Sequence, residues 1–277
     1  MRLTAIWDDC AVPVGLDDPA FQERIERFLA IEAVASADRG GEAPTIELRR
    51  DGTGWKFETP LGPRAVDGDD NAAFMLFDIL GYEFGLRTRR PVVHAGGFVA
   101  DGGAVLYLGG LRQGKSRLTF AAWQRGYPVL GDDRIALHLE ERAAKSLPKC
   151  LKLRLDDERV PSAWRTAVPR DAAFIGEFGN ERRWVLSRRL PGVVDCESPV
   201  PVRAMALLRR VDAGPTRLDD VPVSAALKET FPYTTLGDAT PMDLLRFFKS
   251  YAPRGRLPRL NVAPDEIEEA LSLLAGV

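Results

Sequence analysis

Residues Gly109-Gly110-Leu111-Arg112-Gln113-Gly114-Lys115-Ser116 fit the pattern G-x-x-x-x-G-K-[ST]. An apolar run, Ala104-Val105-Leu106-Tyr107-Leu108, precedes them and reads as a buried strand. Lys115 to Gln124 reads as a helix, stopped by Gly126 and Pro128. The bare pattern arises by chance in about one chain in a hundred. The strand before it and the helix after it give it meaning. Each part has a chemical reason. Backbone N–H groups of such a loop point inward and cradle phosphate oxygens, which requires glycine where a Cβ would collide. Lys115 brings a point charge to the terminal phosphates, and the Ser116 hydroxyl is a Mg²⁺ ligand. The helix aims its positive N-terminus at the same place. Gly109, Gly110, Leu111, Arg112, Gln113, Gly114, Lys115 and Ser116 are thus the candidate nucleotide-binding residues. Arg112 and Gln113 are bulky for this loop. Arg112 is either an extra phosphate ligand or the mark of a less open loop.

Ahead of this unit, Phe21, Ile25, Phe28 and Leu29 share one helical face. Ala37 to Pro44 reads as a loop. Thr45–Arg49 and Gly54–Glu58 alternate apolar and polar around Asp51-Gly52, which predicts a hairpin. Asn71 to Leu86 reads as a helix burying Phe74, Phe77, Leu80 and Phe84. From Pro91 the pattern becomes strand–loop–helix–strand. Strands are expected at Val92–His94, Gly97–Ala100, Val129–Leu130, Ile135–Leu139, Trp184–Leu186 and Ala204–Leu208. A C-terminal helix is expected to begin at Pro264-Asp265-Glu266 and to bury Ile267, Ala270, Leu271 and Leu274. Interleaved strands and helices predict an α/β core with α+β material in front, divided as 1–90 and 91–277.

Asp132 and Asp133 end the strand after the loop's helix. Adjacent acids there can divide the work, one on Mg²⁺ and one accepting a proton from an attacking hydroxyl. Asp is also common in strand-end turns. His94 stands 21 residues before Lys115 (115 − 94). A lone histidine is more often structural than catalytic, and His138 is read as structural.

Composition narrows the classes. Lys plus Arg total 38 and Asp plus Glu 40, a formal charge of −2, which argues against bulk nucleic-acid binding. Three separated cysteines (Cys10, Cys150, Cys196) suit a reducing cytoplasmic setting, and two histidines make a Cys/His zinc site unexpected. No apolar run approaches the ~20 residues of a membrane helix, and the opening MRLTAIWDDC does not read as a signal peptide.

Together, His94-Ala95-Gly96, the loop through Gly114-Lys115-Ser116, and Arg125-Gly126 leading to Asp132-Asp133-Arg134 resemble the HPr kinase/phosphorylase family. Lys115 and Asp132 stand 17 residues apart (132 − 115), as in that family. The resemblance is clear over about 45 residues, 91–137, and weaker beyond. It implies a kinase core of the type shared with ATP-dependent phosphoenolpyruvate carboxykinases, preceded by an N-terminal extension. It also implies ATP and Mg²⁺ as cofactors, and phosphoryl transfer to a serine-like hydroxyl of a protein, peptide or small molecule. Gly109, Gly114, Lys115 and Ser116 would bind nucleotide and metal. Asp133 or Asp132 would be the base, with His94 assisting; we read Asp133 as the base and Asp132 as a metal ligand with Ser116. Arg203, at a strand entrance, is the best candidate for a further phosphate contact. The family forms oligomers, so a homo-oligomer accords with the resemblance. The family's Leu-Glu-Ile-Arg-Gly element is replaced by Leu151-Lys152-Leu153-Arg154-Leu155, and a cation at Lys152 cannot hold Mg²⁺. A catalytically impaired nucleotide-binding module is the alternative.

Overall fold

The computed structural model describes residues 2–16, 18–29, 32–35, 45–148, 151–154, 168–169, 172–178, 181–194, 198–263 and 265–277. The expected loop Ala37 to Pro44, together with Pro264, Leu155, Cys150 and Cys196, lies outside them. The fold is mixed α/β with several sheets. The chain divides into two compact units, 1–88 with 148–190, and 89–147 with 191–277. The expected division at residue 90 had left 148–190 with the second unit.

In the first unit, β1 (Arg2–Trp7), β2 (Cys10–Leu16), β3 (Glu32–Ala35), β4 (Ile46–Asp51), β5 (Gly54–Glu58) and β6 (Arg64–Asp67) form a six-stranded sheet. Its strand order is β3-β1-β2-β4-β5-β6. The expected hairpin is β4–β5, turning at Asp51–Gly54. Helix α1 (Pro19–Leu29) buries the predicted Phe21, Ile25, Phe28 and Leu29 stripe. Helix α2 (Asp69–Arg87) is apolar nearly all round and buries both flanks, as a helix between layers must. Strands β12 (Leu151–Arg154), β13 (Ala173–Phe178) and β14 (Glu181–Leu186) form a second sheet in the order β12-β14-β13. Phe174 of β13 meets Phe28 at 5.1 Å and Phe77 at 6.2 Å between ring centroids. Gly176 lets β13 approach α2, since a Cβ there would stand 2.6 Å from Phe74 Cβ. Those aromatic contacts are why 148–190 belongs here. No sequence spacing announces pairing across so long an interval.

The second unit is built on β7 (Val92–Ala100), β8 (Gly103–Leu108), β9 (Val129–Gly131), β10 (Arg134–His138), β11 (Ala143–Ser146), β15 (Val200–Arg210), β16 (Arg217–Pro222) and β17 (Arg256–Val262). The order is β11-β10-β7-β8-β15-β17-β16, with β9 on β7. β11 also pairs with β15, so five strands close into a ring. The β8–β15–β17 pairings are parallel, and their apolar runs are buried as parallel strands require. Helices α3 (Lys115–Gln124), α4 (Val223–Thr230), α5 (Pro241–Lys249) and α6 (Ile267–Ala275) complete it. The predicted C-terminal stripe Ile267, Ala270, Leu271 and Leu274 is buried in α6.

The two strands expected at 92–94 and 97–100 are one strand, β7. Gly96 and Gly97 do not break it. They make room for the side chains of Tyr107 and Leu106 on the paired β8. A Cβ on Gly96 would stand 2.2 Å from Tyr107 Cε2, and Tyr107 is fully buried with its hydroxyl bonded to Thr119 of α3. The ring cannot yield without breaking that bond. Gly96→Ala is therefore expected to destabilise the protein by roughly 3 kcal/mol, the upper range for overpacking, measured by urea unfolding. A loss under ~0.5 kcal/mol would show that the ring moves freely.

Candidate functional site

All the residues that converge here belong to the second unit. Strand β8 ends at Leu108 and α3 begins at Lys115, so residues 109–114 must turn the chain in six steps. Gly109 is required by close approach: a Cβ there would lie 2.9 Å from the Leu208 carbonyl oxygen of β15. Gly114 is required by conformation. It caps α3 at φ 95°, ψ 9°, the left-handed region. Arg112 also adopts positive φ, 63°, and is exposed, as is Leu111. Gln113 turns sideways, and its Oε1 accepts from the Arg210 backbone N–H at 2.8 Å, tying the loop to the end of β15.

Lys115 opens α3 with only 5% of its surface exposed. Its Nζ donates to the Gly109 carbonyl at 2.9 Å and to the Gly110 carbonyl at 2.7 Å. Burial of the ammonium pulls its pKa from 10.5 down to about 8, and Asp133 and Asp132 partly offset this. The cation is thus held in a dry place against two carbonyl dipoles, close enough to both acids to feel their charge. The first turn of α3 carries no acid, and no side chain caps its N-terminus. That end of the helix presents backbone N–H groups and positive potential.

His94 of β7 lies level with Arg134 of β10. This register brings His94 Nε2 to 3.1 Å from Asp133 Oδ1. Two backbone bonds hold the corner: the Ala95 N–H donates to the Asp133 carbonyl at 3.1 Å, and the Gly109 N–H to the His94 carbonyl at 3.3 Å. Asp132 is buried, at 6% exposure, whereas the Asp133 side chain is 27% exposed. The two acids therefore face different surroundings. Asp132 looks inward and Asp133 is accessible. Thr119 braces the floor, with its Oγ1 near both the Lys115 and Gly131 carbonyls at 3.0 and 3.3 Å.

The donor set fits a polyphosphate: a buried ammonium, a bare helix N-terminus, and glycines where a ligand's oxygens would come close to backbone. The half-buried Ser116 and buried Asp132 offer hard oxygen donors of the kind Mg²⁺ takes. Among the described residues no group of three or more His, Cys, Asp or Glu side chains could hold a metal. A magnesium here would need phosphate oxygens as well as protein ones.

The expected residues divide clearly. Gly109 to Ser116, His94, Asp132 and Asp133 come together. Arg203 does not. On β15, parallel to β8, Val202 lies level with Ala104 and Leu207 with Leu108. Arg203 therefore stands at the entry end of β8, roughly 15 Å from the loop at ~3.3 Å per residue. There it pairs with Asp101 and donates to the Ala275 carbonyl at 2.9 Å. Lys152 lies in the first unit, buried and paired with Asp78. Tyr233 was not anticipated. Its ring packs on Gly110 and lies 5.7 Å from the His94 ring. Nothing in its spacing from the loop, 118 residues beyond Lys115 (233 − 115), points to it.

No protein-family model matches the sequence, and no curated protein matches it. Among solved structures, the HPr(Ser) kinase/phosphatase from Coxiella burnetii is similar at 17% identity, over 67% of this chain and 91% of that one, with a TM-score of 0.30. A likeness that loose carries no argument about the site.

The buried lysine leads to a test. Its folded pKa is depressed, so the unfolded chain binds more protons between about pH 8 and 10.5. The cost of burying the charge is complete below pH 8 and is relieved as pH rises through that window. Relative to Lys115→Met, the wild type should gain up to ~3 kcal/mol of stability between pH 7.5 and 10. Paired denaturant titrations would measure it, and a pH-independent difference would contradict a charged, buried Lys115.

Proposed function

We propose that this protein is an ATP-dependent kinase that transfers the γ-phosphoryl group to a serine-like hydroxyl, on an HPr-kinase-like core. The observation that carries the reading is the buried ammonium of Lys115 beside the His94–Asp133 pair. A phosphate-binding cation alone would suit any nucleotide binder. A half-exposed carboxylate oriented by a histidine, within electrostatic reach of that cation, is what a hydroxyl acceptor needs.

Lys115 and the N-terminus of α3 would hold the β- and γ-phosphates of ATP. Mg²⁺, held by Ser116 and Asp132 with phosphate oxygens, would supply charge neutralisation. Asp133 accepts the acceptor's proton while the hydroxyl oxygen bonds to the γ-phosphorus and the β–γ bridging bond breaks, leaving ADP. His94 Nε2 holds the Asp133 carboxylate in place. Little covalent chemistry is asked of the protein, so positioning and charge supply most of the effect.

Lys115→Ala should abolish ATP turnover. Asp133→Asn should lower transfer by at least a hundredfold, within the range for lost general-base help, while nucleotide affinity by calorimetry stays within a few-fold. An Asp133→Asn protein transferring phosphate from labelled ATP at the wild-type rate would rule out this carboxylate as the base. One observation favours the alternative, a nucleotide-binding module without transfer. Lys152, which replaces the family's acid, is committed to Asp78. Binding of Mg²⁺–ATP with neither transfer nor hydrolysis in the wild type would establish that reading.

A further inference from the structure

Resting on the kinase reading, we propose that Tyr233 determines acceptor specificity, and that the acceptor is a peptide segment carrying an apolar side chain next to its serine. The argument begins with which end of the site Tyr233 occupies. Lys115 Nζ sits at the Gly109 and Gly110 carbonyls, and this lysine serves the terminal phosphates. A Cβ on Gly110 would meet Tyr233 Cε2, Oη and Cζ at 3.2 to 3.4 Å. The same ring lies 5.7 Å from His94, tilted by 48°. On the kinase reading, Tyr233 therefore stands at the terminal-phosphate end of the loop, beside the His94–Asp133 pair that would receive the acceptor.

The ring is held there. Tyr233 ends a 3₁₀ turn, Phe231–Tyr233, clamped to the start of β7. The Val92 N–H donates to the Thr235 carbonyl at 2.8 Å, and the Thr235 N–H returns to Val92 at 2.9 Å. Thr234 adds a bond from Oγ1 to the Thr230 carbonyl at 3.0 Å. Farther along, the backbone at Gly237 runs against Arg89, where a Cβ would meet its carbonyl oxygen at 2.2 Å.

The ring is also exposed, at 43%, with Phe231 at 44% and Leu111 at 67%. Among the described residues of this unit, the exposed large apolar side chains are these three and Met242. Leu111 lies within the loop, Tyr233 packs against it, and Phe231 belongs to the same 3₁₀ turn as Tyr233. A small sugar-like or charged acceptor would leave these surfaces wet. An apolar residue beside the serine covers them, and the backbone on either side runs out to solvent. Apolar surface gathered at a reaction centre marks what the partner brings to it.

Two synthetic peptide series, identical except for Leu or Asp beside a central serine, test this with Mg²⁺ and labelled ATP. The wild type should favour the Leu series by tenfold or more in kcat/KM, as expected for one buried aliphatic side chain. Tyr233→Ala should erase most of that preference through the peptide KM, and Tyr233→Phe should retain it. Phe231→Ser, at an exposed ring in the same turn, should weaken it in part and covers the case that Tyr233→Ala does not fold. Equal use of both series by the wild type, or an undiminished preference in both Tyr233→Ala and Phe231→Ser, would overturn the inference and leave the kinase reading standing. Failure of the wild type to bind ATP at all, by calorimetry, would overturn both.

Discussion

A positive charge has to be kept out of water where β8 turns into α3. An isolated buried ammonium is costly, so its surroundings must answer it. The Gly109 and Gly110 carbonyls do so directly, and Asp132 and Asp133 do so through space. That answer is partial, which is why the lysine's proton is held less firmly than in water. Much of the unit's architecture serves the arrangement. The Leu208 carbonyl demands glycine at 109, positive φ demands glycine at 114, and Gln113 anchors the loop to β15.

Strand pairing performs the second task. β7 is the shared neighbour of β8, β9 and β10, so it joins the loop, the acidic corner and His94 in one rigid frame. His94 reaches Asp133 because the β7–β10 register sets it opposite Arg134. A slip of one residue would turn His94 to the other face of the sheet. The tight packing of Gly96 on Tyr107, and of Tyr107 on Thr119, opposes such a slip. Packing in the core thereby becomes precision at the surface.

The two acids show how one dipeptide meets two environments. They form the bend between β9 and β10, where Asp132 is buried and Asp133 reaches the histidine. Strand register explains the Arg203 result. Its place at a strand entrance was legible, but a strand has two ends, and only the parallel register of β15 on β8 shows that this one is far from the loop.

The local elements were written in the sequence because they depend on neighbours within a few residues. The α1 and α6 stripes, the β4–β5 hairpin and the β8–loop–α3 turn follow from periodicity and from glycine placement. The candidate phosphate residues and the acid pair were legible for the same reason. Tertiary structure alone decided the rest. It moved 148–190 into the first unit, because aromatic packing of Phe174 on Phe28 and Phe77 acts across 146 (174 − 28) and 97 (174 − 77) residues. It turned Arg203 and Lys152 toward acids of their own, Asp101 and Asp78. It also laid Tyr233 over Gly110 and His94. Long-range contacts cost chain entropy to close and are repaid only by burial that the folded whole provides, and no local spacing records them.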